Sequence, residues 1–145
     1  MRLLTGVVAA LWLCATAAQA SERWATLEAI HQLENPRDLT RPGPFGELGA
    51  YQFRATTWRM HTTLPFSRAN ERSASDNVAV RHYEWIKSGL EQAGVRATPY
   101  LIGLAWNGGL DAAVRGSAPR AARDYAERVA NLAAVLDSTT VATTR

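Results

Sequence analysis

Glu22-Arg23-Trp24-Ala25-Thr26-Leu27-Glu28-Ala29-Ile30-His31-Gln32-Leu33-Glu34, followed by Asn35-Pro36, is the stretch on which the fold turns. Trp24, Leu27, Ile30 or His31, and Glu34 recur every three to four residues, so a helix carries them on one face. Glu34 then belongs to the apolar stripe. Asn35-Pro36 stops the helix, because proline disfavours helical geometry at the residue before it. A carboxyl at the C-terminal end of a helix, on its packed side, is short of water and faces the negative end of the helix dipole. Both effects favour its protonated form. That environment suits a general acid, although a partly buried glutamate paired with an arginine has the same sequence pattern.

Working outward, the chain reads as a succession of helices. After Pro36 comes a stretch dense in breakers, with Pro42, Gly43, Pro44, Gly46 and Gly49. A short helix is predicted from about Ala55 to His61, with Thr56 or Thr57 near its start. A long one, capped by Ser73 or Ser75, runs to about Ala93, with Val78, Ala79, His82 or Tyr83, Ile86 and Leu90 inward and Gly94 as its stop. Thr98-Pro99 reads as cap and first residue of a helix ending at Asn107-Gly108-Gly109. Leu110 to Val114 forms a further turn or two. A last helix covers about Pro119 to Leu136, with Ala122, Tyr125, Val129, Leu132 and Leu136 inward. The class is all-α.

Arg2, the apolar run Leu3 to Ala18 and the small-x-small site Ala18-Gln19-Ala20 read as a secretory signal peptide over residues 1–20. Residues 21–137 form one domain, and the polar 138–145 a flexible tail. Cys14, the single cysteine, lies in the leader, so no disulfide is expected. Leu13 before it is a poor fit to a lipidation site. The mature protein is expected in the periplasm or outside the cell, as a monomer with no stable membrane anchor. The net charge of +3 is carried almost wholly by arginine, Lys87 being the one lysine, and no long run of like charge occurs. A basic exported chain could meet anionic lipid or an acidic wall polymer, export arguing against nucleic acid, and the same charge also reads as an ordinary mixed surface.

Gly46-Glu47-Leu48-Gly49-Ala50-Tyr51-Gln52-Phe53 is too apolar for a free linker, and long Gly/Pro-rich stretches in small domains are usually functional or disordered. Glu34-Asn35, then Gly46 to Gln52 with Gln52 eighteen positions after Glu34, resembles the soluble lytic transglycosylase domain, which carries Glu-Ser and then Gly-Ala-x-Gly-Leu-Met-Gln. Asp76-Asn77-Val78 through Tyr83, Ala105-Trp106-Asn107-Gly108-Gly109, and Tyr125 with Val129 are similar to that family's later landmarks, in order. The resemblance covers about residues 24 to 132. It implies a lysozyme-like, mainly helical fold. The implied activity is cleavage of the β-1,4 bond between N-acetylmuramic acid and N-acetylglucosamine in peptidoglycan, leaving a 1,6-anhydro end.

On that resemblance Glu34 is the catalytic acid, then base. Gln52, Asn107, Tyr125, Tyr51 and Trp106 are substrate-binding, with Tyr125 also a natural partner for Glu34. The chain departs from the family at Asn35 for serine, at Glu47 for a small residue, at Tyr51-Gln52-Phe53, and at Trp106 for tyrosine. Glu47 is a possible second acid, which would make the protein a hydrolase of the same bond. The favoured reading is a solvent-facing loop residue or the partner of a nearby arginine. The departures also keep open a non-catalytic peptidoglycan-binding protein. Asn107 reads either as a helix cap or as a ligand contact. Trp58, Trp85 and Trp106, at helical spacing, read as core, with Trp106 and Tyr51 the two aromatics assigned to the groove as sugar platforms. Glu28 is expected in solvent. His31, His61 and His82 lack metal-ligand spacing, so no metal and no cofactor is expected.

Overall fold

The computed structural model describes the backbone of residues 4–143 and the side-chain surroundings of residues 18–139. It is all-α. The helices are α1 (Leu4–Glu34), α2 (Ala55–His61), α3 (Arg72–Gln92), α4 (Pro99–Gly108), α5 (Leu110–Arg115) and α6 (Arg120–Thr143), with a 3-10 turn at Phe66–Asn70. The only β-type pairing among the described residues is an isolated bridge between Leu48 and Phe53.

Local chemistry fixes most boundaries. Thr98 accepts from the Leu101 amide and Pro99 opens α4. Gly94, with φ +74, turns the chain out of α3, and Gly116, with φ +66, ends α5. The expected serine cap of α3 is wrong. The helix begins at Arg72 after Glu71, without a side-chain cap. The Glu71 amide bonds to Arg68 O, so the 3-10 turn hands its hydrogen bonding to the helix and puts Ser73 and Ser75 inside it.

Ile30, Trp58, Ile86, Leu90, Ile102 and Val129 are fully buried, and α6 packs against both α4 and α1. Trp24 departs from the expected stripe: it is 50% exposed, while Ala25, Thr26 and Ala29 are buried. On α6 the most buried line is Ala122, Ala126, Val129 and Ala133, with Tyr125, Leu132 and Leu136 flanking it. The seam is tight. A Cβ added to Gly103 would come within 3.0 Å of Val129, and one on Gly108 within 3.0 Å of Ala122.

Ser21 Oγ donates to Asp137, joining α1 to α6. The expected tail from Ser138 stays helical as far as Thr143. No proline or glycine interrupts it, and Ser138 and Thr139 return their hydroxyls to Val135 O. Among the described residues no helix is long and apolar enough to cross a membrane.

Candidate functional site

Glu34 closes α1, and Asn35 anchors the segment beyond it. The buried Asn35 amide donates to Leu39 O (2.9 Å) and Gly49 O (3.2 Å), and its Oδ1 accepts from Leu39 N. This one side chain ties both ends of the Gly/Pro-rich segment to the helix terminus. Gly49 is required there. Its φ is +80, and a Cβ would lie 1.8 Å from Ala69 O.

The segment then turns tightly. Gln52 N bonds to Gly49 O, and Gln52 holds φ +46, a left-handed conformation uncommon for a side-chain-bearing residue. Gln52 Nε2 also donates to Gly49 O. The turn leaves Gln52 half-buried beside Glu34 while Tyr51 and Phe53 enter the core.

A cleft of about 660 Å³ opens in front of Glu34, bounded by Phe45, Glu47, Gln52 and Phe53 of the segment, Arg54 and Thr57 at the start of α2, His82 of α3, and Trp106 to Gly109 at the end of α4. A second hollow of about 540 Å³, lined by Asn35, Leu39, Arg41, Pro42 and Gly43, shares Glu34, Pro44 and Gln52 with the first. The carboxyl therefore stands where two contiguous hollows meet.

From behind, the Tyr125 hydroxyl donates to Glu34 Oε1 at 2.8 Å. Burial pushes the Glu34 pKa up, and the Glu47 charge adds to that. The tyrosine hydrogen bond and the Arg128 charge oppose the rise without cancelling it. Burial and the adjoining carboxylate hold the Tyr125 phenol far above its ordinary value, so it remains a donor. The arrangement is a carboxyl poised to keep a proton, oriented by a hydroxyl that stays protonated.

Glu34, Gln52, Glu47, Trp106 and Asn107 line one cleft, with Tyr125 bonded to Glu34. Tyr51 does not belong there. It is 4% exposed, donates to Asp76 Oδ1 at 2.8 Å and packs against Phe53 and Trp106. It faces the core, held there by Asp76 and these two rings, while Gln52 takes the cleft side. Asn107 is not a cap, since Gly109 occupies that position; it is exposed in the last turn of α4, on the cleft. Glu47 is engaged at both oxygens, accepting from Phe45 N (2.9 Å) and lying 3.6 Å from Arg54 Nε. The Arg54 guanidinium in turn lies over the Phe45 ring at 5.4 Å.

Glu28 is not free in solvent. It lies within 3.4 Å of His31 and 3.6 Å of Arg72. His31 is buried on Asp38 and Arg72. Spacing gave no signal for His82 as a cleft residue, because a histidine on an inward helical face reads as core. Its Nδ1 meets His61 Nε2 at 2.9 Å, and its ring stands edge-on to Trp106 at 4.7 Å. Among the described residues no cluster of three or more metal-ligating side chains occurs. No protein-family model, curated protein or solved structure matches the chain.

Proposed function

We propose that the protein is an exported lytic transglycosylase with a lysozyme-like fold, acting on peptidoglycan strands after loss of residues 1–20. The observation that carries this reading is the Glu34 carboxyl, biased toward its protonated form at the meeting point of two hollows and held by Tyr125. The ordered resemblance of Glu34, Gly46 to Gln52, Trp106-Asn107 and Tyr125 to that family supports it from the sequence.

Glu34 gives its proton to the glycosidic oxygen as the bond from C1 of the muramic sugar breaks. The carboxylate so formed takes the proton of the same sugar's C6 hydroxyl, and O6 closes on C1. Glu34 ends protonated, and the product carries a 1,6-anhydro end. One group serves as acid and then base because its state changes along the reaction. Gln52, Asn107 and Trp106 hold the sugars on either side. The substrate supplies the nucleophile, so no second carboxylate is needed, one of the recognised departures from the two-carboxylate scheme.

Glu47 motivates the second reading, a hydrolase in which it activates water. Its ties to Phe45 N and Arg54 favour a role in shaping the segment instead. Protein lacking residues 1–20, incubated with purified sacculi, is expected to release muropeptides with anhydro ends by mass spectrometry, and Glu34→Gln to release none while still folding. Products with reducing ends only would establish the hydrolase. Sacculus binding without products from the unaltered protein would establish a non-catalytic binder.

A further inference from the structure

Trp85 lies just outside the cleft and is 43% exposed on α3. Its indole stacks in parallel on the His82 ring, with centroids 5.6 Å apart and planes 9° from each other. His61 meets it edgewise at 6.4 Å. His82 is itself cleft lining and touches Trp106. The rings of Trp106, His82 and Trp85 therefore make one continuous aromatic path from the cleft wall to the surface.

The platform is rigid before any ligand arrives. His82 holds one side of the indole, His61 bonds to His82, and Arg81 Nη1 bonds to His61 O at 2.6 Å, fixing the end of α2 against α3. A preset ring loses little freedom on binding. Its π-face is electron-rich and complements the weakly positive C–H face of a pyranose. One exposed ring bordered by imidazoles is too small an apolar area for a stable protein partner. It does suit one more sugar of a strand already lying in the cleft.

We propose that Trp85 is a distal sugar-binding platform, which takes a further residue of a glycan strand and makes the protein favour long strands over short ones. This rests on the reading of the cleft as a glycan site. It gives the strand-binding role to an indole beside His82 and not to Tyr51.

The test uses soluble peptidoglycan glycan strands of graded length and the Glu34→Gln protein, which holds them uncut. Affinity is expected to rise with length. Trp85→Ala is expected to remove about three- to tenfold of that rise, the scale of one aromatic contact, and Trp85→Phe to restore most of it. In the parent protein the indole N–H resonance of Trp85, assigned with Trp85→Phe, is expected to shift with long strands and stay in place with the shortest that bind. This readout also serves if the alanine variant fails to fold. Equal length dependence with and without the indole, or an unmoved resonance with long strands, overturns the platform and leaves the cleft reading standing. Failure of Glu34→Gln protein to bind strands of any length overturns both.

Discussion

The Tyr125 hydroxyl and the Glu34 carboxyl meet at 2.8 Å across 91 residues of sequence, joining the last helix to the end of the first. That bond stabilises the carboxylate more than the acid, so it opposes the upward push of burial. Tyr125→Phe is therefore expected to raise the Glu34 pKa further. In the proposed reaction the alkaline limb of the kcat profile, set by loss of the Glu34 proton, would move to higher pH. Lost alignment would lower the maximum rate. A pH–rate series on sacculi compares the two proteins, and an unmoved limb would show that the phenol does not govern this carboxyl.

Glu34 also carries a cost in stability. Its folded pKa lies above its ordinary value of 4.5. The stability linked to its protonated form is fully present below 4.5 and is lost as pH rises through the folded value. Glu34→Gln, which cannot ionise, is thus expected to melt higher than the parent at neutral pH and to lose that advantage in acid. Thermal unfolding at pH 7 and pH 4 decides this. Activity is expected to fall by at least about 10²–10⁴, the usual share of general acid catalysis, so that no product release is detected.

Part of the fold is legible in its breakers. The bounds of α4 follow from the Thr98 cap, Pro99 and the paired glycines after Asn107, all of them local signals. Glu34 was legible from its own helix pattern, Gln52 and Asn107 only as members of a spaced set. Tyr51 was not legible: what turns it inward is its hydrogen bond to Asp76 and its packing against Phe53 and Trp106, tertiary contacts that the spacing does not encode. Glu28 was misplaced because its partner Arg72 arrives from another helix. Ala126 and Ala133 escaped notice because alanine is neutral in a hydrophobic pattern, and what buries them is close approach by α4 and α1.

The Asn35–Gly49 tie is expected to be the mechanical support of the cleft. Asn35→Ala removes three hydrogen bonds, leaving the part-buried Leu39 amide and carbonyl without this partner, at a cost of about 2–3 kcal/mol. Gly49→Ala adds a clash to a left-handed backbone and is expected to cost at least about 2 kcal/mol. Urea unfolding measures both. Asn35→Ser, which restores the residue usual in the resembled family, is expected to recover part of the loss.

Acid should strain the histidine pair. Burial and the neighbouring His61 push the His82 pKa down to about 4, and His61 is also lowered, mainly by burial. The stability tied to neutral His82 is present above its ordinary 6.5 and is lost as pH falls through about 4. His82→Phe keeps a ring and removes the titration. Its melting temperature is expected to change less than the parent's between pH 6.5 and pH 4. An equal change in both would place the acid sensitivity elsewhere.

The near absence of side chains between Gly103 and Val129, and between Gly108 and Ala122, has a consequence for how the protein fails on heating. With backbones this close, α6 has no slack to slide along α4, and α6 is the element that aligns the phenol with the acid. Inactivation and melting should then coincide at one temperature, with no warm interval in which the chain is intact but idle.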